Sequence, residues 1–196
     1  AGIVPVAGQD LDFNFPWHDS MMPIGENYLA VERSVQECAM AGCETIWVVC
    51  HMDTQKLIRH RIGDWVYDPV SLKRGPLSSY EEKEIPIFYV PIHPKDRDRR
   101  DCLGWSVLYG ALSAYHVSRK LSRWVIPDKF YTSFPYGVYS PEVLRSHRKK
   151  ISSKETFALT YDGKTVKDGE YLGFTFDAED FKSCRKHVRD MAVSYR

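Results

Sequence analysis

Short apolar segments alternate with amphipathic ones along this chain, and this alternation is what most restricts its fold. Four short segments have the apolar or β-branched character of buried strands: 3–6, 45–50, 85–90 and 129–134. Helical periodicity follows the first of them, because Val31, Val35 and Cys38 share one face of a helix that starts near Asn27. The pattern predicts an α/β fold with an open, mostly parallel sheet flanked by helices.

The other predicted helices are marked by caps and apolar stripes. Asp53 or Thr54 can cap a second helix that Gly63 closes. The longest helix is expected from Gly104 to Leu121, and Pro141 can begin a short one. Residues 65–83 are polar and contain prolines and a glycine, so they are predicted to be a long excursion.

The sequence changes character after residue 150. Thr156 to Tyr161 and Tyr171 to Phe176 read as strands paired around the turn Asp162-Gly163, and Asp177 can cap a final helix. We therefore expect one domain over residues 1–196, with an α/β core at 1–150 and a β-hairpin and helix at 151–196.

Charge and hydropathy argue against two classes of partner. Lys and Arg number 27 against 26 Asp and Glu, a net charge of +1, so nucleic acid is an improbable partner. The apolar stretches are far shorter than the roughly 20 residues that span a bilayer, so no membrane association is expected.

The five cysteines are an odd number without a CxxC spacing, and three of them fall on predicted buried faces. This usage is typical of reduced thiols in a cytoplasmic protein rather than of a disulfide framework or a zinc site. No basic segment precedes the apolar start Ala1 to Val6, so no secretory signal is predicted.

The loop after the first strand is where a ligand is expected, because ligands of open α/β sheets bind beyond the carboxyl ends of the strands. It opens with Ala7-Gly8 and closes with Pro23-Ile24-Gly25. An amphipathic helix, Ala41-Gly42-Cys43 and the strand from Ile46 to Cys50 follow. Further along, 55–64 and 104–114 have the pattern of two more helices.

Over about two thirds of its length, this succession resembles the nucleotidyltransferases that make sugar nucleotides, the sugar-nucleotide pyrophosphorylases. The resemblance implies a Rossmann-like fold of the GT-A type and a nucleotide or sugar nucleotide as the possible ligand. The positions that it implies for nucleotide binding are Ala7, Gly8, Gln9, Asp10, Asp12, Gly25 and His51.

The chain departs from the family pattern at the two positions where the family has cationic side chains that bind phosphate. The family's loop arginine falls on or near Asp12, and its lysine falls in the stretch from His18 to Ser20. The loop instead carries Asp10, Asp12 and Asp19, which repel a triphosphate.

A third departure concerns the catalytic aspartate that the family places at the end of its fourth strand to hold Mg²⁺. The matching stretch, Phe130 to Gly137, has no acidic residue, and Asp128 precedes the strand at the opposite edge. No catalytic residue is therefore assigned.

Two functions follow from these observations. The first is a nucleotidyltransferase-like domain without transfer activity, a pseudoenzyme that serves as a binding or structural subunit; small chains of this kind are familiar in phage, which allows a virion or assembly role. The alternative is an active sugar-phosphate nucleotidyltransferase with rearranged metal ligands, Asp10, Asp12 and Asp19. A cofactor, Mg²⁺, is expected only in the second case.

The segment from Trp124 to Tyr139 is rich in aromatic residues. Aromatic residues beyond what a core needs are typical of interfaces, so this segment is predicted to contact a protein partner or a second copy of the chain.

Overall fold

The fold is built on one six-stranded sheet and a separate two-stranded hairpin. The computed structural model describes residues 1–8, 15–72, 83–100, 102–121 and 125–193. Within them the strands are β1 (Gly2–Pro5), β2 (Pro23–Gly25), β3 (Tyr28–Leu29), β4 (Ile46–Cys50), β5 (Trp65–Tyr67), β6 (Glu84–Pro91), β7 (Lys129–Thr132) and β8 (Phe174–Asp177).

The strands of the main sheet lie in the order β5-β6-β4-β1-β7-β8, and β2 and β3 form the hairpin. The four central strands of the main sheet are parallel and the two outer ones antiparallel. β1 lies between β4 and β7, so that Ile3 is opposite both Trp47 and Thr132. β4 also pairs in parallel with β6, whereas β5 and β8 close the two edges in antiparallel pairing. The carboxyl ends of the central strands therefore meet at one edge of the sheet, called the carboxyl edge below.

Helices cover both faces of the sheet. In chain order they are α1 (Ala30–Ala41), α2 (Met52–Ile62), α3 (Pro69–Leu72), α4 (Pro94–Arg100), α5 (Leu103–Leu121), α6 (Val143–Ile151) and α7 (Ala178–Val193). One core lies between the sheet and α1, α2 and α6, and includes Val4 and Leu144. The other lies beneath α5 and α7 and includes Ile3 and Phe181. Successive residues of β1 thus serve opposite cores, as the two-residue repeat of a strand requires.

The predicted fold class is confirmed, and the differences concern single elements. α1 begins at Ala30 rather than near Asn27, because the β2–β3 hairpin turns at Asn27, whose φ is +53°. The Glu32 carboxylate accepts the N–H of Leu29 and fixes that start. The predicted excursion after Trp65 contains β5 and α3, and its residues 73–82 lie outside the described ones.

The carboxyl-terminal region contains the predicted turn and helix. Asp162-Gly163 turns the chain between Tyr161 and Lys164, and α7 follows β8. Before this turn the predicted strand is reduced to a single bridge from Ala158 to Phe174, while β8 pairs with β7. Within the described residues, no helix combines the length and apolarity needed to cross a bilayer.

An ion pair joins the segment between β5 and α3 to α6. The Arg148 guanidinium donates to both oxygens of Asp68 at 3.2 and 3.0 Å, and the Asp68 side chain is 10% exposed. Burial opposes ionisation of this carboxyl, but the hydrogen bonds and charge of Arg148 outweigh it and hold the pKa of Asp68 below its usual value.

Because its folded-state pKa is lowered, Asp68 stabilises the fold above the unfolded pKa of about 4, and this contribution is lost as pH falls through the folded value. We expect Asp68→Asn to lower the free energy of unfolding by roughly 2 kcal/mol at neutral pH. Urea unfolding of both proteins between pH 7 and pH 3 checks this. The difference between them should shrink below about pH 4, and a difference that stays constant over this range contradicts the assignment.

Candidate functional site

The loop after β1 leaves the sheet at the carboxyl edge through a constrained turn. The N–H groups of Val6 and Ala7 both donate to the Val49 carbonyl, at 2.8 and 3.0 Å. Gly8 then adopts a φ of +90°, and a Cβ placed there would lie 2.5 Å from the Cys102 carbonyl carbon. Both the backbone conformation and the close approach therefore require glycine at position 8.

The amino terminus of α5 holds this turn in place. The Ser106 hydroxyl donates to the Ala7 carbonyl at 2.6 Å in a fully buried contact. The N–H groups of Trp105 and Ser106 point back to the thiol and carbonyl of Cys102. The predicted ligand positions Ala7 and Gly8 thus lie against the start of a 19-residue helix, where the positive end of the helix dipole favours an electronegative ligand atom.

Three of the predicted nucleotide-binding residues cannot be placed with this turn. Gln9, Asp10 and Asp12 lie outside the described residues. Asp19 begins a single 3-10 turn that His18 caps by accepting the N–H of Ser20 through Nδ1. Among the residues that the structure describes, no three His, Cys, Asp or Glu side chains converge as metal ligands do. The metal site of Asp10, Asp12 and Asp19 stays a prediction.

Gly25 and His51 occupy different parts of the structure. Gly25 lies in β2, where a Cβ would make only an ordinary 3.7 Å contact with Tyr28, so the fold does not require glycine there. His51 follows β4 at the carboxyl edge and is the N-cap residue of α2, the position predicted for Asp53 or Thr54. It is half-buried and remains a candidate for ligand contact.

Asp53 lies in the first turn of α2, beside His51. Its carboxylate is 3.5 Å from the guanidinium of Arg97 on α4. Burial raises the pKa of Asp53, but hydrogen bonds from backbone N–H groups and the charges of Arg97 and His51 together outweigh it, so the pKa is lowered. Exposed charged groups of both signs therefore stand at the ends of β4 and β6.

The carboxyl end of β7, where the resemblance implies a carboxylate that holds Mg²⁺, has a different chemistry. Thr132, Ser133 and Phe134 are all buried. The Ser133 hydroxyl donates to Glu37 of α1 at 2.6 Å, and the Ser133 N–H donates to the Ile3 carbonyl. Asp128 lies before β7, at the opposite edge. The residues described at this strand end do not fit a Mg²⁺ ion.

Two residues of α1 form a buried ion pair on the side of the helix that faces the end of β7. Arg33 and Glu37 are one turn apart, their side chains are 1% and 0% exposed, and their charged atoms are 2.7 Å apart. Glu37 also accepts hydrogen bonds from the hydroxyls of Tyr131 at 2.5 Å and Tyr139 at 2.6 Å, besides Ser133. The carboxylate is therefore surrounded by donors, as a buried charge needs to be.

Arg33 ties the pair to the loop after β7. Its guanidinium donates to the Phe134 carbonyl at 2.5 Å and to Ser34 at 3.2 Å, and it stacks 4.6 Å from the ring centroid of Tyr139. Its Nε is buried without a hydrogen-bond partner among the described residues. We call Arg33, Glu37, Tyr131, Ser133 and Tyr139 the α1–β7 network.

The tyrosines of the α1–β7 network act as neutral donors. Burial, followed by the charge of Glu37, raises the pKa of both Tyr131 and Tyr139 well above the usual value. Gly173 completes the packing, because a Cβ there would collide with the Tyr131 hydroxyl and lie 2.7 Å from Glu37 Oε1. Both oxygens of the Glu37 carboxylate are occupied, each by two donors of the network, so this carboxylate is engaged within the protein rather than presented to a metal ion or substrate.

Sequence reasoning missed this network. The apolar stripe of α1 placed Val31, Val35 and Cys38 on the buried face, which is correct, but it did not include Arg33 or Glu37, which are buried as well. The available signal was weak: the chain between Ala30 and Ala41 has small or apolar residues around most of the helix, which indicates a helix buried on several sides.

The aromatic rings predicted to form an interface lie largely inside the molecule. Phe130, Tyr131 and Phe134 are buried, and Tyr136 packs against Tyr171 at 5.5 Å between ring centroids. Trp124 lies outside the described residues. The interface at Trp124 to Tyr139 stays a prediction, although three of the aromatic rings that motivated it belong to the core.

Comparisons with known proteins identify the fold. No protein-family model and no curated protein matches the sequence. The chain is similar to a solved UDP-glucose pyrophosphorylase in complex with UDP-glucose, with a TM-score of 0.50 and 14% identity over 92% of this chain and 77% of that one.

A second similar structure is 4-diphosphocytidyl-2C-methyl-D-erythritol synthase from Anaerococcus prevotii DSM 20548, with a TM-score of 0.46 and 15% identity over 96% of this chain and 74% of that one. The similarity to the pyrophosphorylase, at this identity, concerns the fold alone. The protein thus has a nucleotidyltransferase-like, Rossmann-like α/β fold.

Proposed function

We propose that this protein is a nucleotidyltransferase-like binding or structural subunit that does not transfer a nucleotidyl group. The observation that carries the proposal is the chemistry at the end of β7. Ser133 and Phe134 stand where a metal-holding carboxylate is expected, and both are engaged by Glu37 and Arg33. A transferring enzyme of this fold needs an anionic metal ligand there, and the α1–β7 network occupies that space.

The charge of the loop after β1 supports the same proposal. Residues 7–23 contain Asp10, Asp12 and Asp19 and neither lysine nor arginine. A triphosphate would meet like charge where active enzymes supply cations. The turn at Ala7 and Gly8 nevertheless lies against the amino terminus of α5, where the helix dipole can favour a small electronegative ligand.

A turnover assay with the full chain tests the proposal. Each nucleoside triphosphate is incubated with Mg²⁺ and a panel of sugar 1-phosphates, and released pyrophosphate is measured. We expect no release above the rate without protein. Release that disappears in Asp12→Ala would establish the alternative, an active transferase with rearranged metal ligands.

Melting temperature separates the two forms of the proposal. A rise with a nucleotide or sugar nucleotide, lost in Gly8→Ala but kept in Gly169→Ala, supports a binding subunit. Absence of any rise leaves the structural form, for which a partner, a second copy or a virion is proposed. Light scattering of the full chain measures self-association directly.

A further inference from the structure

Two cysteines meet at the carboxyl end of α1. Gly42 ends the helix in the left-handed conformation, with φ +91°, and its N–H donates to the Ala39 carbonyl. The N–H of Cys43 donates to the carbonyl of Cys38 at 3.1 Å. This pair of bonds is the Schellman motif, which brings the side chains at these two positions into contact across the helix end.

The two thiols of this pair are in direct interaction. Both sulfurs lie next to Gly2. A Cβ built on Gly2 would be 2.8 Å from the Cys38 sulfur and 3.2 Å from the Cys43 sulfur, so the two sulfurs share one small space. A hydrogen bond from the Cys38 thiol lowers the pKa of Cys43, against the opposing effect of burial. Burial, with the same hydrogen bond, raises the pKa of Cys38. The pair therefore has one thiol that ionises more readily and one that stays protonated.

A cavity gives access to one member of the pair. It has a volume of about 540 Å³, opens at the amino-terminal edge of the sheet and is lined by Cys43 together with Gly42, Lys129 and Lys154. Cys38 does not line it and is 0% exposed, whereas Cys43 is 8% exposed. Cys43 is therefore the member of the pair that a small reagent in this cavity approaches.

We propose that Cys43 is a site of oxidation by small hydroperoxides and that Cys38 resolves the product to a disulfide. The Cys43 thiolate attacks one peroxide oxygen and the O–O bond breaks. Cys43 becomes a sulfenic acid, and hydroxide, or alkoxide from an organic hydroperoxide, is the leaving group. The Cys38 sulfur then attacks the Cys43 sulfur, the S–O bond breaks, and water departs with the Cys38 proton. Two thiols and one hydrogen peroxide thus give one disulfide and two waters.

The other cysteines provide controls within the same molecule. Cys50 is buried, and burial raises the pKa of its thiol to about 12, so it should resist the reagent. Cys102 and Cys184 are exposed and should react with alkylating reagents without forming this bond. Double replacement of the exposed pair by serine removes bonds between molecules and leaves the α1 end unchanged.

The test treats the folded chain with hydrogen peroxide, blocks remaining thiols by alkylation and cleaves the unfolded product after glutamate. Cleavage after Glu37 and Glu44 releases residues 38–44, which contain Cys38 and Cys43 and no other cysteine. We expect this fragment to lack both alkyl groups and two hydrogens, and to recover both thiols after dithiothreitol. Oxidation of Met40 adds an oxygen and is distinguished by mass.

Two variants separate the roles of the thiols. In Cys38→Ser the sulfenic acid on Cys43 should persist and be captured by dimedone, whereas in Cys43→Ser no dimedone adduct should form on Cys38. A wild-type fragment that remains doubly alkylated, while Cys102 or Cys184 of the same sample is oxidised, overturns the proposal. So does a disulfide that forms equally between Cys38 and Cys50.

Discussion

Glu37→Gln is expected to lower the free energy of unfolding by about 3 kcal/mol or more, because it leaves Arg33 as a buried charge without its partner. The four groups around the carboxylate are all donors: Arg33 and the hydroxyls of Tyr131, Ser133 and Tyr139. An amide of nearly the same size adds two further donors among them. Urea unfolding followed by fluorescence measures the loss.

Glu32→Gln is the matched control. Glu32 lies on the same helix and also pairs with an arginine, Arg61, but its side chain is 22% exposed. A glutamine there can still accept the Leu29 N–H, so we expect a loss below about 1 kcal/mol. Equal losses for the two variants would contradict the role given to burial.

A double replacement tests the charge argument separately. Arg33→Met with Glu37→Leu removes both charges and keeps apolar volume in their place. Buried ion pairs are often replaceable in this way at little cost, whereas loss of one partner is costly. We expect the double variant to be more stable than Glu37→Gln. If the loss in the double variant equals the sum of the losses in Arg33→Met and Glu37→Leu measured singly, the individual hydrogen bonds, and not the pairing of the charges, matter most.

The sheet was predictable because its central strands carry unambiguous local signals. β4 is apolar along its whole length and is buried at every position, as parallel strands between two helical layers are. β5 carries no such signal: it has three residues, and Trp65 is 45% exposed. Its pairing with β6 depends on the path of the preceding helix, which local sequence does not encode.

In the candidate site, too, local sequence predicts some features, whereas others depend on residues far apart in the chain. Gly8 could be assigned from the turn after β1, but the residue that makes glycine necessary there, Cys102, is 94 positions away in the sequence. The α1–β7 network depends on contacts between Glu37 and hydroxyls from Tyr131 to Tyr139. Arg33 and Glu37, spaced one turn apart, have the pattern of a solvent-exposed helix pair. Only the tertiary arrangement makes them a buried centre.

Gly8→Ala is expected to destabilise the fold by about 3 kcal/mol, the sum of two effects. The left-handed conformation costs a residue with a Cβ roughly 1–2 kcal/mol. The new methyl group would also lie 2.5 and 2.7 Å from the carbonyl carbon and oxygen of Cys102. Backbone at the start of a packed helix cannot move aside as a flexible side chain can, so overpacking adds a further loss of about 1–3 kcal/mol.

Gly169→Ala isolates the conformational part of this loss. Gly169 has a φ of +89°, almost the same as Gly8, and among the described residues no atom beyond its chain neighbours lies within 4 Å of the position its Cβ would take. We therefore expect a loss of only roughly 1–2 kcal/mol for this variant. Alkylation of the exposed Cys102 thiol, with Cys184 as the internal reference, should change rate in Gly8→Ala alone, because only that variant displaces the start of α5. If the two variants lose equal stability and Cys102 reacts as in the wild type, the turn at Ala7 and Gly8 does not pack against the start of α5. The candidate site would then lack the constrained turn on which it is based.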